Sequence, residues 1–260
     1  FADLGITHIF VNDVDITGED ALLSNIGFVI NDDVSLSNMT LVADKSIGQL
    51  IYVSGDNVVI SGMDISYAVG DEESSAIYVY DSENVNIVNN EIVFESHVTT
   101  DKEAMAINVL GSSDVVISNN NITASLPAIN SNWGLYFSYG MMGISDVHAV
   151  KIMKSEDVDF TKNNVITFYN EYVLTAYSPT IESVLIVDSD IVNVDYNNFT
   201  VIDEETPIGS PAYLYALTMG IANDAVISNN NFNMATDGGV DAMGSAYAIQ
   251  FVTSNVDIIG

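Results

Sequence analysis

One stretch of this 260-residue chain combines the residue types that recognise sugars. It runs Asn130-Ser131-Asn132-Trp133-Gly134-Leu135-Tyr136-Phe137-Ser138-Tyr139 and holds the chain's single Trp. Flat rings stack on the apolar faces of a sugar, and neighbouring amides bond its hydroxyls. Trp133, Tyr136, Phe137, Tyr139, Asn130 and Asn132 are therefore candidate carbohydrate-binding residues. Phe168, Tyr169, Tyr172 and Tyr177, and later Tyr213 and Tyr215, could extend them into an aromatic strip. The plainer reading has these rings packing their loops onto an apolar body.

Acidic clusters raise a second chemistry. Asp71-Glu72-Glu73, Asp101-Lys102-Glu103 and Asp203-Glu204-Glu205 gather oxygens of the kind calcium takes. No loop with Asp at alternating positions and a closing Glu accompanies them, so a solvated acidic edge is expected. Calcium is the one cofactor the sequence leaves open. Catalytic groups are sparse. Asp32-Asp33 and Asp237 lie some two hundred residues apart, too far for paired carboxylates. His8, His97 and His148 are scattered, unlike a metal-ligand set. Lys151, Lys154 and Lys162 form the only lysine cluster and read as solvated surface charges.

Five lysines and no arginine face 36 acidic residues, for a net charge of −31. Nothing here could neutralise a run of phosphates, so nucleic acid is excluded as a partner. An acidic membrane would repel the chain as well, and no stretch reads as a transmembrane span. High net charge often signals disorder, but 48% hydrophobic residues argue for a core. There is no cysteine, hence no disulfide framework.

The elements that must position these groups come from a repeat. The pattern Asp/Asn-Val-x-Ile-x-x-Asn-x-Ile starts at Asp33, Asn57, Asn84, Asp114, Asp157, Ile191 and Asp224, with a shortened copy at Asn255. The copy at Asp157 is degenerate, and the one opening on Ile191 more so. Apolar residues alternate inside each copy, as in Val85, Ile87 and Ile92, which puts one side of a strand into a core. A second alternating run precedes each copy, for example Ala76-Ile77-Tyr78-Val79 and Ala106-Ile107-Asn108-Val109. Each unit thus reads strand, polar turn, strand, one-residue bend at Asn, strand, variable stretch.

Copies start 24, 27, 30, 43, 34, 33 and 31 residues apart. A rigid motif with elastic spacing places the insertions at one point of each unit, hence along one side of the assembled molecule. A single unit cannot bury its apolar side, so units must stack. The expected fold is all-β: a right-handed parallel β-helix of about eight coils, three strands per coil. At ~4.8 Å per strand, the rod would be on the order of 40 Å long. Residues 1–260 form one domain in this reading, with no internal linker. Asn90, Asn120, Asn163, Asn197 and Asn230 share the slot at the bend. Asn tolerates the left-handed backbone a corner needs, and stacked amides can bond from coil to coil.

Sequons at Asn38-Met39-Thr40, Asn121-Ile122-Thr123 and Asn198-Phe199-Thr200 make Asn38, Asn121 and Asn198 candidate N-glycosylation sites. The chain begins at Phe1 and stops at Gly260 within a motif copy. An open final coil would expose an unpaired sheet edge, so the expectation is a segment of a longer solenoid.

Runs such as Gly55-Asp56-Asn57-Val58-Val59-Ile60-Ser61-Gly62-Met63-Asp64-Ile65 and Ser113-Asp114-Val115-Val116-Ile117-Ser118-Asn119-Asn120-Asn121-Ile122 resemble the repeats of the pectin-lyase-like superfamily. The Asn/Ile/Val/Asp-rich texture is most similar to adhesin-like surface proteins of methanogenic archaea. The resemblance implies an extracellular, cell-surface protein that attaches to polysaccharide or to a partner cell. Two other roles accompany that fold: a polysaccharide lyase or glycoside hydrolase, and a passive structural stalk.

Overall fold

Alternating apolar residues, repeated coil after coil, have one way to be buried, and the computed structural model shows it. It describes residues 7–44, 48–70, 73–98, 102–128, 147–172, 180–203, 213–236, 245–252 and 255–259. All regular structure among them is strand, in two parallel sheets of nine and fifteen strands. Each strand pairs with its counterpart in the next coil, so the chain winds as a parallel β-helix.

Three faces recur along the helix. The first face is the nine-stranded sheet, from Thr7–Val11 through Ala104–Leu110 and Val147–Met153 to Ser245–Val252. The second carries the front of the motif, as in Glu83–Val88 and Ser113–Ser118, and the third its end, as in Glu91–Ser96 and Asn121–Ala128. Second and third faces count as one sheet because Val34–Ala43 runs round their common corner unbroken and pairs with Val58–Ser61 on one face and Asp64–Val69 on the other.

The repeat starts one unit earlier than the motif shows. Val14 and Ile16 pair with Val34 and Leu36, opening a unit at Asp13. Its register slips between Thr17 and Ala21, and that local irregularity hides the pattern in the sequence.

The core is a column of aliphatic side chains. Val85, Ile87, Ile92, Val115, Ile117 and Ile122 are fully buried, each stabilising the fold by roughly 1.5–3 kcal/mol relative to exposure. On the first face the alternation slips once per coil. Ala106, Ile107 and Val109 belong to the core, whereas Met105 and Asn108 both line an outer cleft. Two successive residues therefore turn inward at Ala106-Ile107; the first is small at Ala76, Ala106, Ala149 and Ala216, while Leu50 fills it in an earlier coil.

The corner between second and third faces is two residues long, not one. The strands Glu83–Val88 and Glu91–Ser96 leave only Asn89 and Asn90 between them. Asn89, Asn119, Lys162, Tyr196 and Asn229 take the left-handed conformation, with φ of 58°, 55°, 57°, 55° and 52°. The next residue points inward. The left-handed position is thus one residue before the slot that spacing suggested, and Lys and Tyr fill it in two coils.

The long connections all begin and end at one corner. They run from third face to first: Ala43 to Gln49, Val69 to Ser74, Ser96 to Ala104, Ala128 to Val147, Tyr172 to Thr180, Asp203 to Tyr213 and Thr236 to Ser245. The outer side of the first face adjoins that corner.

Candidate ligand-binding face

From Asn90 onward, the inward Asn at the corner between second and third faces forms a continuous amide chain. Asn90 Nδ2 donates to Asn120 Oδ1 at 3.0 Å, Asn120 Nδ2 to Asn163 Oδ1 at 3.1 Å, Asn163 Nδ2 to Asn197 Oδ1 at 3.1 Å and Asn197 Nδ2 to Asn230 Oδ1 at 3.0 Å. Each Nδ2 also donates to a backbone carbonyl one coil back, for example Asn163 to Ile117 at 2.8 Å. Each Oδ1 accepts a backbone N–H as well, as Asn163 Oδ1 does from Asn120 at 3.0 Å. Each amide from Asn90 to Asn197 therefore ties three coils, and Asn230 at the end ties two; their work is architectural. Met39 and Met63 hold the slot in the first coils, and Asn90 Oδ1 accepts the N–H of Met63 at 2.9 Å. A second chain runs beside the first on the outside. Asn164 donates to Asn121, Asn198 to Asn164 and Asn231 to Asn198, each at 2.7 Å. The neighbouring Asn in four successive motif copies, Asn121, Asn164, Asn198 and Asn231, was the available signal for it.

The outer side of the first face carries the most varied chemistry. Tyr52 and Tyr78 lie in adjacent coils with ring centroids 5.6 Å apart, and Tyr80 follows at 6.1 Å from Tyr78. Beside them a shallow cleft of about 120 Å³ is lined by Gln49, Glu73, Ser75, Tyr78, Glu103, Met105, Asn108 and Lys151, among others. Burial, reinforced by Tyr52, Glu103, Tyr80 and Glu73, pushes the Tyr78 hydroxyl up to about 12. Burial, then Tyr80, raises Tyr52 as well. Both phenols stay neutral at ordinary pH, serving as rings with a hydroxyl at the rim. Farther along the same face, Tyr215 and Tyr247 stack at 5.3 Å.

Lys151 departs from its expected role as a solvated charge. Its side chain is 6% exposed and its Nζ donates to Glu103 Oε1 at 2.7 Å. It sits opposite Asn108 in the first-face register, where neighbours screen it from water and Glu103 supplies the opposite charge. Lys154 and Lys162 are exposed, at left-handed turn positions.

The expected carbohydrate-binding residues Trp133, Tyr136, Phe137, Tyr139, Asn130 and Asn132 lie outside the described residues, as does Tyr177. Their segment joins Asn121–Ala128 to Val147–Met153, leaving from the third-face end and entering the first face. Tyr169 does not extend an aromatic strip: it is fully buried, and its hydroxyl donates to the Glu182 carbonyl at 3.1 Å. Phe168 is half-buried on the third face.

Of the acidic clusters, Glu103 joins the lysine pair, Asp203 is buried, and Asp71, Glu72, Asp101, Glu204 and Glu205 lie outside the described residues. Among the described residues no three His, Asp or Glu side chains are grouped to hold a metal. His148 is buried with Nδ1 3.0 Å from the Glu182 carbonyl, His8 Nε2 is 2.8 Å from the Gln49 carbonyl, and His97 contacts Glu95 at 3.0 Å. The histidines thus sit in separate coils with separate partners. An open groove of about 970 Å³ runs along the second face, lined by Asp56, Asn57, Glu83, Asn84, Asp114, Asp157, Asp159, Asn193 and Asp224 between valines. No lysine lines it, and a polyanion would find only repulsion there.

Neither a protein-family model nor a curated protein sequence matches the chain. Among solved structures, full-length tailspike protein 2 from an Escherichia coli O157:H7 bacteriophage is 12% identical with a TM-score of 0.46, covering 98% of this chain and 38% of that one. A DFA-IIIase from Arthrobacter chlorophenolicus A6 in complex with DFA-III is 11% identical with a TM-score of 0.38, covering 85% and 60%. The A-module of a mannuronan C-5 epimerase from Azotobacter vinelandii is 9% identical with a TM-score of 0.27, covering 98% and 91%. The chain spans about two fifths of the tailspike's length. At these values the β-helix assignment rests on the strand pairing itself. No helix among the described residues is long and apolar enough to cross a membrane.

Proposed function

We propose that this chain is an adhesin-like β-helix segment, secreted or displayed at a cell surface, that binds neutral glycans on the outer side of its first face. The observation that carries the reading is the Tyr52–Tyr78–Tyr80 cluster beside a cleft with Asn108, Gln49 and the Glu103–Lys151 pair. Rings for stacking and convergent amide and carboxylate groups for hydroxyls are what a sugar site requires. The connection from Ala128 leads into this face at Val147, and Trp133 and its neighbours belong to that connection. A net charge of −31 turns the preference away from uronates and other polyanions.

The test is an array of neutral and uronate-containing glycans, screened with calcium and with chelator. Saturable binding to neutral glycans is expected, weakened about tenfold or more by Tyr78→Ala or Tyr52→Ala, in line with loss of a stacking ring of about 1.4 kcal/mol. Trp133→Ala reports whether the insertion takes part. Wild-type protein that binds nothing, or binding indifferent to both tyrosines, sinks the proposal and leaves the passive stalk.

A further inference from the structure

Three sequons look equivalent in the sequence, and the fold makes them unequal. N-glycosylation moves a sugar from a lipid pyrophosphate donor onto an Asn side chain. The bond from sugar C1 to the phosphate oxygen breaks, a C1–Nδ2 bond forms, a proton leaves Nδ2, and the lipid pyrophosphate departs. To react, the Asn amide must swing out of the protein surface into the transferase, carrying the Ser or Thr two residues on. An amide already held by its neighbours resists that.

Asn198 is held at both ends. Its Nδ2 donates to Asn164 Oδ1 and its Oδ1 accepts from Asn231 Nδ2, both at 2.7 Å. Asn121 is held at one end, its Oδ1 accepting from Asn164 at 2.7 Å. Both begin regular third-face strands, Asn198–Asp203 and Asn121–Ala128, packed between coils. Asn38 also lies within a paired strand, Val34–Ala43, but differs in exposure and in side-chain bonding. It is exposed, with φ of 53°, at the bend between second and third faces, and its side chain has no hydrogen bond among the described residues. Its Oδ1 rests over Gly62, where a Cβ would come within 2.6 Å. Gly62 itself, with φ of 61°, leaves that space open. The unit beneath bulges out through Glu19 and Asp20, both exposed and both at positive φ.

We infer that Asn38 is the N-glycosylation acceptor of the folded protein, with Asn121 a poor one and Asn198 closed. In a three-faced coil the corner between second and third faces lies opposite the first face, so a glycan on Asn38 would project away from the tyrosine cluster. The inference is independent of what that cluster binds.

The test incubates purified, folded protein with an oligosaccharyltransferase and a lipid-linked oligosaccharide, then reads intact mass and glycopeptides. One glycan is expected, at Asn38, formed at least tenfold faster than any at Asn198. Asn38→Gly, which suits the left-handed backbone, and Thr40→Ala should each abolish it. A synthetic peptide carrying Asn198-Phe199-Thr200 should be modified by the same enzyme, showing that the fold and not the triplet closes Asn198. Equal occupancy of Asn198 and Asn38 in the folded protein, or modification that persists in Asn38→Gly at the same level, overturns the inference. So does a folded protein left unmodified by an enzyme that modifies an Asn38 peptide.

Discussion

Lys151 Nζ meets Glu103 Oε1 at 2.7 Å across adjacent coils of the first face, with the lysine side chain 6% exposed and the glutamate 34%. The two side chains bear unequal shares of the burial, and that inequality is measurable. Glu103→Ala leaves a buried ammonium without its counter-charge and is expected to cost about 2 kcal/mol, the buried-pair penalty reduced for the glutamate's partial exposure. Lys151→Met leaves a carboxylate that water can reach and should cost less. Urea unfolding of both variants and of the double variant gives the coupling. Equal costs for the two single variants would contradict this assignment of burial.

The buried amide chain should be most sensitive in its middle. Asn163 is 1% exposed, whereas Asn230 at the C-terminal end is half-buried. Asn163→Met strands the Asn120 N–H and the Ile117 carbonyl, and should destabilise by about 3 kcal/mol. Asn230→Met strands the equivalent groups nearer to water and should cost about 1 kcal/mol. Thermal melts of the two variants, side by side, decide the point.

Ile191 opens its motif copy at φ of 52°, in a column where Asp33, Asn57, Asn84, Asp114, Asp157 and Asp224 take the same left-handed conformation. A β-branched residue there is strained, and it is 47% exposed, so little packing would be lost on replacing it. Ile191→Asn is expected to stabilise the fold by about 1 kcal/mol. A lowered melting temperature would show that Ile191 contributes packing that outweighs the strain.

Alkaline pH should act on the first face. Tyr78 is raised from 10.0 to about 12, so between these values the unfolded chain has lost a proton the folded chain keeps. Its contribution to stability is complete below pH 10 and is lost as pH rises through 12. Absorbance titration near 295 nm should show late-titrating tyrosine, and Tyr78→Phe should flatten the decline in melting temperature above pH 10. A decline unchanged in that variant would assign it elsewhere.

The architecture was legible in the sequence because the repeat is written in core residues such as Val85, Ile87 and Ile92, whose alternation has one structural solution. The stacked amides from Asn90 to Asn230 were legible from their shared slot. The left-handed residue before each, such as Asn89, was not, because the spacing reads as a one-residue bend. The unit at Asp13 was masked by the slip after Thr17. Lys151 read as surface charge because nothing local in the sequence signals Glu103, 48 residues away. The Tyr52–Tyr78 pair escaped notice because its two rings come from different coils, each unremarkable alone.

Stacked coils also have a mechanical consequence. The hydrogen bonds between strands run along the rod, so a pull on its two ends loads the coils in series. Each coil holds about 30 residues, and its release would lengthen the tether by on the order of 100 Å. A stretched molecule would therefore yield in steps, one rung at a time, each set by its own coil's 24 to 43 residues. The amides from Asn90 to Asn197 span three coils each and would act as rivets, raising the force at which that stretch lets go. A pulled rod of this kind would absorb strain progressively and remain attached while it does so.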